Sequence, residues 1–239
     1  MANIALVIAG GSGNRMGQDI PKQFMQLDGA PVIIHTMKCF QQHPDINEIA
    51  VVCLKGWETV LRAYANQFNI TKLTRIYPGG QTGMESIHNG IYGLKADGYA
   101  DDDLVLVHDS VRPLLSQEII SNNIATCKAY GYAITGIKCR EAVLKSDDGF
   151  SSTTSIPRDT LIRTQTPQTF RLKDIINVHE EAGRKGIGDS VASCTLVAEV
   201  GGREMHIVPG SEKNVKITTT EDLEILKALM HTTKEDWLK

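Results

Sequence analysis

The sequence has 239 residues, longer than one usual domain yet within the reach of a single α/β domain. Its 41% hydrophobic and 22% charged residues are ordinary for a globular chain and exclude a largely disordered, collagen-like or coiled-coil protein. Lys plus Arg number 25 against 28 Asp plus Glu, so the net charge of -3 provides no basic field for general nucleic-acid binding, and any anion site must be local.

The five cysteines, Cys39, Cys53, Cys127, Cys139 and Cys194, are odd in number and form no C-x-x-C pair. That pattern argues against a disulfide framework or zinc cluster and for a reduced, cytoplasmic setting. The apolar run near the start, residues 4–9, is too short for a signal h-region, and no stretch approaches a membrane span. A cytoplasmic chain with no membrane or nucleic-acid partner is expected.

In chain order, residues 4–9 form a Val/Ile-rich run that predicts a strand, ending in glycines. Helical spacing follows over 31–42, then a strand over 49–54 and helices over 57–68 and 84–94. A strand over 104–108, a helix over 117–130, a strand over 132–138 and a helix over 172–184 continue the alternation. A late strand is predicted over 215–218 and a last helix over 221–230, with Thr220 as its N-cap. Strands alternating with helices predict a three-layer αβα, Rossmann-like fold with a mostly parallel sheet, whose ligands bind beyond the carboxyl ends of its strands. One region breaks the rhythm: 140–157 is polar, with Lys145-Ser-Asp-Asp-Gly149 as a hairpin signal. It reads as a protruding β-arm, within 138–165 of a single domain over 1–239. A second copy of the chain is the economical surface for such an arm to pack on, a floppy surface loop the alternative.

Four constellations are candidates for chemistry. The first is Ala9-Gly10-Gly11-Ser12-Gly13-Asn14-Arg15-Met16-Gly17, followed by Pro21-Lys22-Gln23. A strand running into a glycine loop exposes backbone N–H groups to phosphate oxygens, and Arg15 and Lys22 add positive charge. It is neither the dinucleotide fingerprint, since Met16 stands where a third glycine belongs, nor a Walker A loop. The second is His108-Asp109-Ser110-Val111-Arg112-Pro113 at the ligand edge. Asp109 and Arg112 there either hold a hydroxylated or metal-bearing ligand and a phosphate, or form a structural ion pair. His108 reads as a hydrogen-bonded structural residue. Asp101-Asp102-Asp103 sits at the opposite edge and reads as a solvated turn. The third, 156–170, carries Arg158, Arg163 and Thr166, phosphate clamps or solvent-facing residues. The fourth is Lys216, either aimed at the shared edge or a surface lysine.

Taken together in their order, AGGSGNRMG with PKQF, GGQTGMES, HDSVRP, TQTPQTF and NVKITTTEDL are specific. Over nearly its whole length the chain resembles the cytidylyltransferases that make CDP-methylerythritol or CDP-ribitol. The resemblance implies Mg²⁺-dependent transfer of CMP from CTP to a polyol phosphate, most economically 2-C-methyl-D-erythritol 4-phosphate with D-ribitol 5-phosphate as the alternative. It also implies a homodimer joined through the arms. By position, Ala9, Gly10, Gly11, Ser12, Gly13, Arg15 and Lys22 match the triphosphate cradle, and Gly80 and Ser86 match residues holding cytosine and ribose. Asp109, Arg112 and Lys216 match acceptor contacts, with Lys216 also near the reacting phosphate. Arg158 and Thr166 match residues that one subunit lends to its neighbour's site. Arg15, Lys22 and Lys216 are the expected catalytic cations, and no dedicated protein ligand of the metal is assigned. The chain departs from the family at Gly83, where arginine is usual, at Ala142, where threonine is usual, and at Gly188, which replaces the threonine of a Thr-Asp pair. Those losses motivate the rival expectation of a catalytically weakened nucleotide-binding relative.

Overall fold

In β1 (Asn3–Ala9) the apolar residues are buried on both sides: Ala5, Val7 and Ala9 enter one core, Ile4 and Leu6 another. A strand with period-2 alternation can do this only if layers cover both faces of its sheet. The computed structural model describes residues 1–11 and 20–231 and shows that arrangement. After β1 come β2 (Gln26–Leu27), β3 (Ala30–Pro31), α1 (Val32–Gln41), β4 (Glu48–Cys53), α2 (Glu58–Gln67), β5 (Leu73–Pro78) and α3 (Gly83–Ala96). Then follow β6 (Leu104–Asp109), α4 (Gln117–Tyr130), β7 (Tyr132–Lys138), β8 (Val143–Lys145), β9 (Thr154–Ile156) and β10 (Ile162–Arg171). The chain continues through α5 (Leu172–Arg184), α6 (Ser193–Val200), β11 (His206–Pro209) and α7 (Thr220–His231).

The seven-stranded sheet has the order β11-β7-β10-β6-β1-β4-β5. β6, β1, β4 and β5 are parallel; β10 runs antiparallel to both its neighbours. After β1 the chain goes to β4 on one side and later returns to β6 on the other. The order therefore reverses at β1, and a crevice opens beyond the carboxyl ends of these strands. One core contains residues of α1, α2 and α4, the other residues of α3, α5 and α6. No helix among the described residues is long and apolar enough to cross a membrane.

Several predicted elements need correction. Residues 215–218 are not a strand: Ile217 N donates to Val111 O at 3.0 Å, while its carbonyl accepts from Lys22 Nζ at 3.2 Å. A side-chain amine stands where a ladder partner would be, so the run pairs with no strand. α7 includes Thr220, and its start is tied by Asp222 Oδ2, which accepts from Thr218 N at 2.6 Å and Thr219 N at 2.8 Å. Asp103 is no solvated turn: it is 6% exposed, and its carboxylate accepts from Ala2 N and Ala100 N, pinning the start of β1 beside β6.

The arm is a separate two-stranded hairpin, Val143 pairing with Ile156. Asp148 organises its loop by accepting from Ser146 Oγ, Phe150 N and Ser151 N. Phe150, 98% exposed, and Leu144, 64% exposed, leave the hairpin's apolar side chains in solvent.

Candidate active site

Gly10, the first glycine after β1, is required by a close approach. A Cβ at Gly10 would lie 2.5 Å from Ser86 Oγ and 3.1 Å from Gly79 Cα, so the loops following β1 and β5 touch through their backbones. Gln23 ties the loop's return to the strand end, its Nε2 donating at 2.9 Å to both Ala9 O and Gly11 O. Ser86 Oγ accepts from Gly80 N at 3.0 Å and donates to Thr82 O at 2.9 Å, which fixes the second glycine turn. Thr82 caps α3 by accepting from Glu85 N at 3.1 Å, so the positive end of that helix opens on the same space. Gly10, Gly11, Lys22, Lys55, Gly80 and Ser86 are among the residues lining the resulting cavity of about 510 Å³.

A second cavity, of about 280 Å³, adjoins the first; Ile8 and Gly83 line both. Asp109, Arg112, Thr166 and Lys216 line it. Arg112 Nε donates to Asp109 Oδ2 at 2.9 Å and Lys216 Nζ to Asp109 Oδ1 at 3.0 Å. Burial pushes the Asp109 carboxyl up, but Lys216 and Arg112 outweigh it and hold it down at about 2, so it is ionised at neutral pH. Of the two sequence readings the structure shows the ion pair, and the pair forms in a cavity wall.

His108 is fully buried, and burial pulls its pKa to about 4. Its Nε2 faces Arg112 O at 3.3 Å, an atom that can only accept, so the neutral ring carries its proton there, leaving Nδ1 to accept from Thr166 Oγ at 3.0 Å. Thr166 Oγ also accepts from Asp109 N at 3.1 Å. The histidine is therefore structural, as its strand-end position suggested. Thr166, however, lines its own chain's cavity beside Asp109, which corrects the expectation that it reaches into a second copy.

Lys22 Nζ donates to the carbonyl of Ile217, the residue after Lys216, whose own amino group is held by Asp109; Lys22 lines the first cavity and Lys216 the second. Ser12, Gly13 and Arg15 lie outside the described residues. Arg158 lines neither cavity; its Nη1 donates to Arg140 O at 2.8 Å, in a separate groove of about 1020 Å³ at the arm's root, walled by Gly136, Ile162 and Ile207. Ala142 is exposed just before β8. Sequence reasoning assigned no role to Gln23, although PKQ was in view, and missed Lys55, Val191 and Ser193, which bear no motif.

Mg²⁺ is usually held by one or two carboxylates together with substrate phosphates. Among the described residues no cluster of three or more His, Cys, Asp or Glu could hold a metal, and Asp109 is the one carboxylate lining either cavity. Such a wall fits a cation that arrives on a triphosphate better than one held in a cage of protein ligands.

A glycine loop at the switch point of an αβα sheet, continuous with a cavity of paired charges, defines a nucleotide-handling transferase. The family model described as IspD: 2-C-methyl-D-erythritol 4-phosphate cytidylyltransferase matches residues 3–232, and the chain belongs to that family and is a cytidylyltransferase. It is 36% identical over 228 residues to a ribitol-5-phosphate cytidylyltransferase of Lacticaseibacillus paracasei, covering 95% of this chain and 97% of the relative. It is 37% identical over 238 residues to a 2-C-methyl-D-erythritol 4-phosphate cytidylyltransferase of Clostridium novyi, covering 97% and 98%. Among solved structures, the 4-diphosphocytidyl-2C-methyl-D-erythritol synthase of Anaerococcus prevotii superposes with a TM-score of 0.79 at 25% identity, covering 97% of this chain and 99% of that one.

Proposed function

We propose that the chain transfers CMP from CTP to a polyol phosphate, releasing pyrophosphate. An oxygen of the acceptor phosphate attacks the α-phosphorus of CTP, the new P–O–P linkage forms, and the bond to the β-phosphate breaks in line with it. A phosphate monoester has its second pKa at about 6, so the acceptor arrives ionised and no base is needed. This agrees with a His108 held neutral within a hydrogen-bonded network. The difficulty is charge, and cations aimed at the reacting phosphates are the device that lowers it. Lys22 and Arg15 serve the triphosphate, Gly80 and Ser86 the nucleoside, Asp109, Arg112 and Thr166 the acceptor, and Lys216 lies between.

The observation that supports this reading is that Lys22, in the wall of the first cavity, is hydrogen-bonded to the residue after Lys216, which lines the second, and that the two cavities adjoin. Mg²⁺ bound with CTP would neutralise part of its charge, Asp109 being the carboxylate at hand. For the acceptor we favour 2-C-methyl-D-erythritol 4-phosphate. D-ribitol 5-phosphate is the second reading, supported by relatives of that name at 36% to 38% identity. We further propose a homodimer in which the arm carries Arg158 to the neighbour's acceptor cavity, since Arg158 lines no cavity with Asp109 in its own chain. Pyrophosphate release from CTP with each polyol phosphate, measured with and without Mg²⁺, tests the activity. Release with neither acceptor defeats the proposal, and CTP binding without turnover favours the weakened relative. Mixing Arg158→Ala with Lys22→Ala chains tests the dimer: activity above that of either variant alone is expected, and none is expected if Arg158 acts within its own chain.

A further inference from the structure

Val191, Ala192 and Ser193, at the start of α6, line the same cavity as Asp109, Arg112 and Lys216. Ser193 is 1% exposed, and its Oγ is buried without a hydrogen-bond partner among the described residues. Buried hydroxyls in folded proteins almost always have one, because leaving the bond unmade forfeits hydration with no return. The backbone on either side of it is tied by hydrogen bonds. Ala192 N donates to Thr195 Oγ at 3.0 Å, and Cys194 N donates to Gln168 Oε1 at 2.9 Å. Gln168 is itself 2% exposed and lines the cavity, so α6 is fastened to β10 where it meets the site. Ser193 is the first residue of that helix, where backbone N–H groups lack intrahelical acceptors.

The cavity therefore combines two kinds of wall. Asp109, Arg112 and Lys216 supply charge suited to a phosphate and to polarised hydroxyls. Ser193 supplies one neutral group that both donates and accepts, the complement of another hydroxyl. We infer that Ser193 Oγ binds one hydroxyl of the polyol acceptor and sets which polyol is accepted; this rests on the cytidylyltransferase reading above. A site built to bond a hydroxyl penalises an analogue that lacks it, because its own polar group is then left unpaired. Val191, 93% exposed, lines the same cavity and offers the ligand an apolar surface beside that hydroxyl.

The test measures pyrophosphate release at saturating CTP, with the preferred polyol phosphate and its single-deoxy analogues, for the wild type and Ser193→Ala. The wild type is expected to disfavour one deoxy analogue by roughly tenfold in kcat/KM, and Ser193→Ala to abolish that preference while raising the KM of the full acceptor by roughly tenfold. CTP binding by calorimetry and Tm should hold, since the variant removes an unpartnered group. The wild-type comparison of analogues stands even if the variant folds poorly. Equal use of every deoxy analogue by the wild type overturns the inference, as does a parallel worsening of acceptor KM, CTP binding and Tm in Ser193→Ala, which marks a structural role. Wild-type protein that releases no pyrophosphate with any polyol phosphate defeats the underlying activity instead, a distinguishable failure.

Discussion

The two cavities that share Ile8 and Gly83 are built from different materials. On the nucleotide side the wall is largely main chain: Gly10, Gly11, Gly79 and Gly80, positioned by Gln23 and Ser86. On the acceptor side it is largely side chain: Asp109, Arg112, Lys216 and Thr166, held in a network with His108 and Asn214, whose carbonyl accepts from Arg112 at 2.7 Å. Backbone N–H groups recognise what all nucleoside triphosphates share, and their geometry is lost once a Cβ is forced in. Side chains can be exchanged singly. On the proposed reading, discrimination between one polyol phosphate and another is expected to belong to the second cavity.

The largest expected effect is at Lys22, in the wall of the first cavity. Lys22→Ala should lower turnover by roughly 10²-fold or more, as for other preorganised charges, in a pyrophosphate-release assay; wild-type turnover would remove Lys22 from the chemistry. Next comes a contrast within the glycine loop. Gly10→Ala, whose Cβ would collide with Ser86 Oγ, should weaken CTP binding by roughly tenfold or more, whereas Gly11→Ala, with nothing within 4 Å, should be nearly neutral by calorimetry. Equal losses would show that the close approach of Gly10 to Ser86 is not what the main-chain wall depends on.

Smaller effects are expected on the acceptor side. The folded pKa of Asp109, about 2, lies below its ordinary 3.8, so its contribution to stability is whole above that ordinary value and is lost as pH falls through 2. The contribution is on the order of 2 kcal/mol, and Asp109→Asn should flatten that part of a urea-unfolding pH profile while raising acceptor KM several-fold. His108 works in a separate window. Its pKa drops on folding from 6.5 to about 4, so the unfolded chain holds the extra proton and stability declines as pH falls across that interval. The smallest change is Gly83→Arg, at a residue that lines both cavities and whose added Cβ would meet nothing within 4 Å. It should tighten CTP binding a few-fold by adding a cation; weaker binding would mean that the junction must stay clear.

Much of the fold was legible from apolar runs and helical spacing: 132–138, 117–130 and 172–184 match β7, α4 and α5 to the residue. β10 was not, because Ile162-Arg-Thr-Gln-Thr-Pro-Gln-Thr-Phe-Arg171 reads as polar loop. Its buried Gln168 and Thr169 are satisfied by Cys194 N and Asn123 Oδ1, partners far away in sequence. β5, β11 and α6 are short or half-exposed and gave weak periodicity. In the candidate site, Asp109 and Lys216 could be singled out from their motifs, but their contact could not, since 107 positions separate them. Ser193 went unseen because its interest lies in a bond it does not make, and Thr166 was given to the wrong subunit because nothing local tells which way a strand's threonine faces.

The tie between Lys22 and Ile217 closes a loop spanning 195 positions. Ordering so long a stretch costs entropy that only the assembled sheet repays. The reaction centre should therefore be among the last parts to organise during refolding, so that recovery of turnover trails recovery of helical signal. A ribosome-bound fragment stopping short of residue 217 would contain every strand of the sheet yet lack the tie to Lys22, and no competence for catalysis is expected of it.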